Sequence, residues 1–413
     1  MQREVRAPGA TQGAGVRPLW LVVLAAATAA GIAMGLRQVM GLYMKPVTGH
    51  LGLGREAFAL AIAVANIVWG IAAPFTGAIS DRYGSGRIVA MGALTTAAGL
   101  LVMQAATSEM HLMASGVLLG FGVAGAGVNA LVGAVARVAP PERRSSAVAA
   151  LGMGSGVGIL IALPYTHLLI ERLGWNSSLA VLAATSMLLL PMAYILKGRP
   201  APHAGDASQT LGQALSEAFR HPSFWLLNAG FFVCGFHVVF YGTHLPAYVA
   251  DLGLPEWVAV AGLTVVGVGN LIGTYLAGQW GRVLPKRYGL ALIYGGRAIV
   301  FLGFLFLPIT ATTVIVLSAM LGLLWLSTIP LTSTLVATFF GARWMTMLYG
   351  IVFFSHQVGS FLGVWLGGVL FDRLKSYDAM WWISVALGIF AALVNLPIRE
   401  QPVERLRAAT ATG

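Results

Sequence analysis

The stretch Gly77-Ala-Ile-Ser-Asp81-Arg82-Tyr83-Gly84-Ser85-Gly86-Arg87 decides how this chain is read. It sets charges and glycines between two apolar runs, roughly Ala57 to Ser80 and Ile88 to Ala106, each close to the ~20 residues that cross a bilayer as a helix. Glycines permit a tight turn at the membrane surface, and an acid there can hold basic groups or a helix N-terminus. A partial copy, Gly278-Gln-Trp-Gly-Arg282, closes a later apolar run 201 residues downstream. A second pair keeps that offset: Leu169-Ile-Glu171-Arg172-Leu173 and Val369-Leu-Phe-Asp372-Arg373-Leu374, with Gly158 and Gly359 matching between them. Two matches at one offset indicate a duplicated six-helix unit whose halves flank a central site.

Working outward, twelve apolar runs are long enough to span. They extend from about Pro18 to Lys45, Ala57 to Ser80, Ile88 to Ala106, Leu112 to Val138, Ala147 to Ile170 and Leu179 to Leu196. The second set covers Phe224 to Val249, Val258 to Trp280, Tyr288 to Pro308, Val314 to Phe339, Leu348 to Phe371 and Met380 to Leu396. The expected organisation is a polar tail over 1–17, a six-helix half over 18–196, a linker over 197–223, a second half over 224–397 and a tail over 398–413. Within the linker, Leu211 to Phe219 reads as a short amphipathic helix on the membrane surface. The fold class is an all-α integral membrane protein.

Composition agrees. Hydrophobic residues make up 58% of the chain, charged residues 9%, and the mean hydropathy is +0.81, against ~25% charge in soluble domains. The single cysteine, Cys234, excludes an internal disulfide and any cysteine-based metal site. A net charge of +11 would suggest nucleic acid in a soluble protein, yet eighteen of the 25 basic residues fall in the termini and alternate loops. The opposite side carries Lys45, Arg55, Arg172, Arg373 and Lys375, and Arg37 and Arg297 lie within spans. The basic balance therefore reports topology, with both termini and the central linker expected in the cytoplasm of a bacterial-type inner membrane. No nucleic-acid partner is expected.

The motif Gly77-x-x-x-Asp81-Arg82-x-Gly84-x-Gly86-Arg87 resembles the signature between the second and third helices of the major facilitator superfamily, and the similarity covers the whole chain. The resemblance implies twelve helices in two halves and a conformational gate at Gly77, Asp81, Arg82, Gly84 and Arg87. Arg282 replaces the acid in the second copy, which departs from that lock. The first-span stretch Gly35-Leu-Arg37-Gln38-Val-Met-Gly-Leu-Tyr43-Met-Lys45-Pro46 resembles the monocarboxylate and oxalate/formate porter branch, as does Phe353-Phe-Ser355-His356-Gln357-Val-Gly-Ser360. That branch implies a substrate-binding arginine in the eighth helix, where this chain has Asn270.

None of the fourteen Asp and Glu residues falls at the centre of an apolar run. An ionised side chain in a bilayer persists only when it faces protein or water and finds a partner, so the negative charge for Arg37 and Arg297 can arrive with the substrate. Arg37 lies eight residues before Lys45, ~12 Å below the outer end of a helix that the resemblance implies lines the pathway, and its planar fork suits a carboxylate; the bland alternative is a snorkelling or backbone-bound arginine. Arg297, deep in the ninth span, is either a ligand or a brace helped by Tyr294 at i−3. In the seventh span His237, Tyr241 and His244 share one stripe, with Pro246 beyond them. These histidines and His356 are the proton-coupling candidates, since histidine titrates near neutrality. Gln38, Tyr43, Asn129 and Asn270 complete the candidate binding set.

Gly120-Phe-Gly122-Val-Ala-Gly125 matches a dinucleotide pattern but sits inside an apolar run with no preceding strand, which favours helix packing. No phosphate loop or zinc-protease motif occurs in the sequence, so neither enzyme activity nor a cofactor or metal is expected. The leading reading is a secondary transporter of a small organic anion, a monocarboxylate or related compound, driven by protons or exchange and functional as a monomer. The alternatives are a carrier of a neutral or weakly acidic nutrient such as a vitamin, an exporter of a toxic compound, or a non-transporting membrane sensor.

Overall fold

The computed structural model describes residues 18–139, 141–197, 209–341 and 344–411. All regular elements among them are helical. In the first half, α1 (Leu19–Gln38) runs through a 3₁₀ segment (Val39–Tyr43) into α2 (Met44–Leu51). Then follow α3 (Arg55–Tyr83), α4 (Ser85–Gln104), α5 (Glu109–Ala126), α6 (Val128–Val138), α7 (Pro141–Ser186) and α8 (Leu189–Ile195). A short helix, α9 (Leu211–Phe219), precedes the second half. That half contains α10 (Pro222–Asp251), α11 (Glu256–Val283), α12 (Lys286–Phe306), α13 (Ala311–Leu323), α14 (Thr328–Phe340), α15 (Met345–Leu374) and α16 (Asp378–Asn395), followed by α17 (Glu404–Ala411).

Among the described residues, eleven stretches are long and apolar enough to cross a membrane, one of them spanning Ala150–Ile195. At ~1.5 Å per residue that stretch is about twice the thickness of a bilayer core. It is two crossings folded at Gly174, whose φ of 77° takes the chain out of the helix. The fourth and tenth runs, read from sequence as single spans, are each broken: at Gly127, and over the residues between Leu323 and Thr328. The first run also changes character just after Arg37 and Gln38. Pro46 cannot donate to the Leu42 carbonyl, and the chain tightens into 3₁₀ geometry immediately before it.

The duplication is visible in the packing. A Cβ on Gly158 of α7 would collide with the backbone at Gly31 of α1, and one on Gly359 of α15 would collide with Phe232 of α10. Both pairs are related by the same 201-residue shift. One turn away, Gly154 faces Ala27 and, at the equivalent positions, Ser355 donates to the Asn228 carbonyl at 3.0 Å. Small residues let these helices approach where lipid offers no hydrophobic drive between them.

The halves meet along two seams, α3 against α15 and α7 against α11. On the side of α2 and the α15–α16 turn the seams are closed: Gly54 abuts Asp372, and Gly368 abuts Glu56 and Ala59. Contact continues inward to Gly70 against Gln357, and on the other seam to Gly156 against Leu271. Beyond those points, towards the side bearing both termini, a Cβ on Gly77, Gly152, Gly278 or Gly350 meets nothing within 4 Å among the described residues. The described contacts thus close the seams on the α2 face.

Candidate substrate site between the halves

Arg37 occupies the last turn of α1, next to the 3₁₀ segment. Its Nη2 donates to Asn66 Oδ1 of α3 at 2.9 Å, and its guanidinium lies 5.2 Å from the centre of the Trp69 ring. Asn66 and Trp69 fall on neighbouring turns of α3, so one helix face supplies both contacts. Arg37 lines two adjoining recesses. The first is walled by Ala33, Leu36, Met40, Ile62, Trp69, Thr96, Leu119 and Val123 of the first half, and the second reaches Val238, Val239, Gly242 and Thr243 of α10. Gln38 also lines the second recess. Among the described residues no carboxylate pairs with Arg37.

The site continues across the seam. Asn66 Nδ2 donates to the Ile62 carbonyl at 2.8 Å, and the Asn66 carbonyl accepts from Gln357 Nε2 of α15 at 3.1 Å. Gln357 Oε1 lies 3.0 Å from His356 Nδ1. As an amide oxygen can only accept, this contact makes Nδ1 the protonated ring nitrogen. His356 is stacked on Phe353, whose ring meets Trp69 edge-on at 5.1 Å. A continuous path of hydrogen bonds and rings thus joins the arginine of the first half to the histidine of the second.

The other expected residues are placed between helices. Tyr43 is buried against Ser178 Oγ at 2.8 Å. The stripe His237, Tyr241 and His244 is also buried. His237 Nε2 bonds the Ser384 carbonyl of α16 at 2.9 Å, Tyr241 bonds Ser318 of α13 at 2.6 Å, and His244 Nε2 bonds the Val364 carbonyl of α15 at 2.8 Å. All three partners belong to the second half, where α10 packs chiefly on α15 and α16. Asn270 accepts from the Leu326 backbone N–H at 3.0 Å and from Thr274 at 3.3 Å.

Arg297 is 0% exposed. It donates through Nε and Nη2 to the Leu324 carbonyl at 3.1 and 2.6 Å, and also to the Trp325 carbonyl. Tyr294 covers it at 5.3 Å, and Cys234 Sγ lies 3.5 Å away. The carbonyls at the end of α13 have no helical partner and carry the negative end of its dipole. Arg297 and Asn270 together satisfy the break between α13 and α14. The two intramembrane arginines therefore do different things: one lines a recess, the other holds a broken helix.

At the gate motif, Gly84 has φ 93° and ψ 145°, outside what other residues readily adopt, and it forms the turn between α3 and α4. Gly77 has open space beside it and Arg87 is exposed. The side chains of Asp81, Arg82 and Asn129 lie outside the described residues.

Sequence reading missed the closure of the far side. Arg55, at the start of α3, donates to Asp251 Oδ1 at 2.6 Å and to the Tyr377 hydroxyl at 3.0 Å, with its guanidinium 3.6 Å from the centre of Phe371. Lys45 joins Asp251 at 3.2 Å. Asp372 accepts from the backbone N–H groups of Arg55 and Glu56 at 3.1 and 2.7 Å, placing a carboxylate on the N-terminus of α3. His244 Nε2 must donate to the Val364 carbonyl, so Nδ1 of the neutral ring accepts from the Tyr377 hydroxyl at 2.9 Å. Burial pushes that hydroxyl well above its ordinary range, so it remains a donor. The only available signal was charge at span ends, which also occurs in solvated loops.

A recess that reaches both six-helix halves, beneath seams closed on one face, fits a carrier. Residues 19–364 match the profile of the Major Facilitator Superfamily. The chain belongs to that superfamily. Like its relatives it is a multi-pass membrane transporter of small molecules, not an enzyme. It is 27% identical to monocarboxylate transporter 11 of Mus musculus over 383 residues, covering 87% of this chain and 83% of that one. It is 23% identical to the oxalate:formate antiporter of Oxalobacter formigenes over 401 residues, covering 94% of each. An uncharacterized transporter of the superfamily, YcxA of Bacillus subtilis (strain 168), is 25% identical, with 92% of this chain and 95% of the relative covered. Among solved structures, a bacterial homolog of the human lysosomal transporter Spinster, inward-facing and occupied, superposes with a TM-score of 0.73 at 14% identity, covering 92% and 97% of the two chains. Superfamily membership thus accounts for the duplicated halves and the two seams.

Proposed function

We propose that this protein carries a small organic anion, a monocarboxylate or close relative, by alternating access at Arg37. The observation that supports this most directly is a guanidinium lining both recesses whose hydrogen-bond partner is the neutral Asn66. A charge in such surroundings is stabilised by an opposite charge, and a carboxylate offers the guanidinium two charge-assisted bonds. The largely apolar walls suit the body of an amphipathic anion. Relatives whose names specify monocarboxylates, or oxalate and formate, favour a carboxylate-bearing substrate.

In this reading both termini and the 197–223 linker are cytoplasmic in a bacterial inner membrane, as the distribution of basic residues indicates. The structure then corresponds to the inward-facing state of a monomer whose halves, 18–196 and 224–397, rock about the site. Protons accompany the anion through His356, the candidate histidine connected to Arg37 through Gln357 and Asn66.

The test is uptake by purified protein in liposomes, with labelled lactate, phenylacetate and oxalate, with and without a proton gradient. Arg37→Ala is expected to lower carboxylate uptake at least ~30-fold while the protein remains folded, as when one partner of a desolvated charge pair is removed. Wild-type uptake in that variant overturns the assignment.

A further inference from the structure

The partner of Arg37 has a definite shape. Asn66 places a single sp² oxygen 2.9 Å from Nη2, in the position and direction that one oxygen of a carboxylate would take. The amide is 3% exposed, and its Nδ2 is held by the Ile62 carbonyl of the preceding turn. The contact that ties Asn66 to the second half runs instead through its backbone carbonyl, which accepts from Gln357. The side chain can therefore leave Arg37 without breaking the bond across the seam.

Among the described residues, Arg37 is the one fixed cation lining the recess. Its other walls are mostly apolar, among them Leu36, Met40, Ile62 and Val123, with Thr96 and Trp69 also lining it. Among the described residues the other half supplies no second fixed positive group for a dianion: the positions 201 residues after Arg37 and Gln38 are Val238 and Val239, which line the second recess. Arg297 is committed to the Leu324 and Trp325 carbonyls, and Asn270 to the Leu326 N–H.

We propose that Asn66 is a resident stand-in for substrate, its amide oxygen occupying Arg37 in the empty carrier, and that it is displaced by the single carboxylate of a monoanion with an apolar body. The inference rests on the assignment of Arg37 made above. It makes Asn66 a competitor of the substrate, where an ordinary binding residue would be an ally. A competitor and an ally respond to truncation with opposite signs.

Equilibrium binding of labelled phenylacetate to purified protein, with oxalate as the dianion, separates the cases. Asn66→Ala leaves the Gln357 bond to the backbone intact and removes the competitor, so phenylacetate is expected to bind several-fold tighter, up to about tenfold. Asn66→Asp supplies a permanent internal carboxylate and is expected to weaken binding by at least ~30-fold. Oxalate is expected to bind wild type at least ~10-fold more weakly than phenylacetate, since its second charge faces an apolar wall. Unchanged or weaker binding in Asn66→Ala overturns the stand-in, as does wild-type affinity in Asn66→Asp. Equal affinity for oxalate overturns the single-carboxylate class. Failure of the underlying assignment looks different: wild type binds neither anion, or Arg37→Ala binds both as wild type does. Should Asn66→Asp not fold, the sign of the change in Asn66→Ala decides alone.

Discussion

Two arginines inside the membrane make a natural experiment on what burial does to a charge. Arg297 faces two carbonyls at a break in a helix, and removing it strands the Leu324 carbonyl and leaves the Trp325 carbonyl only the weak Cys234 thiol. Arg297→Ala is therefore expected to cost about 3 kcal/mol of stability or more, read as a large drop in the melting temperature of the detergent-solubilised protein. Arg37→Ala leaves Asn66 still bonded to Ile62, and its cost in stability should stay within about 1 kcal/mol, as for changes away from the packed core. Equal destabilisation by the two substitutions would remove the distinction. The histidines divide in the same manner. His237 is locked on the Ser384 carbonyl, whereas His356 reaches the seam through Gln357. His356→Asn is expected to change the pH dependence of anion uptake, and His237→Asn to leave its shape intact; the pH profile of initial rates checks both.

At the scale of elements, the decisive contact is a carboxylate on the end of a helix. Asp372 closes α15 onto the N-terminus of α3, and Arg55 ties the same corner to Asp251 and Tyr377. An anion at a helix N-terminus contributes about 1 kcal/mol. Asp372→Asn should then shift the closed-to-open ratio on this face roughly fivefold, since a population moves only by the differential free energy of the two states. Pulsed electron resonance distances between spin labels on exposed Gly49 and Arg373 would show a longer component growing in; an unchanged distribution would mean that Asp372 does not latch the face. This corner also marks where sequence reading stopped. The spans, the 201-residue repeat and the kinship of Gly158 with Gly359 were legible, because hydropathy and glycine spacing are local signals. Asn66 and Gln357 were not, since a neutral amide in an apolar run looks alike whether it faces a cavity, a seam or its own backbone. Nor did any local signal indicate that Arg297 would sit opposite a break between α13 and α14.

Across the whole molecule, duplication has been kept in the scaffold and abandoned in the site. The pairs Gly31–Gly158 and Phe232–Gly359 hold equivalent helices together in the two halves. Arg37, however, has Val238 as its counterpart, and the seam pair Asn66 and Gln357 has Gly267 and Gly156. The first seam therefore carries a polar bond at the depth of the recess, where the second packs Gly156 on Leu271 and Gly267 on Leu160. Apolar surfaces can slide over one another by small steps, but a buried hydrogen bond is either made or broken. When the molecule inverts, the toll is levied on one edge of the bundle, and the motion is that of a door with a bolt on one side and a smooth hinge on the other.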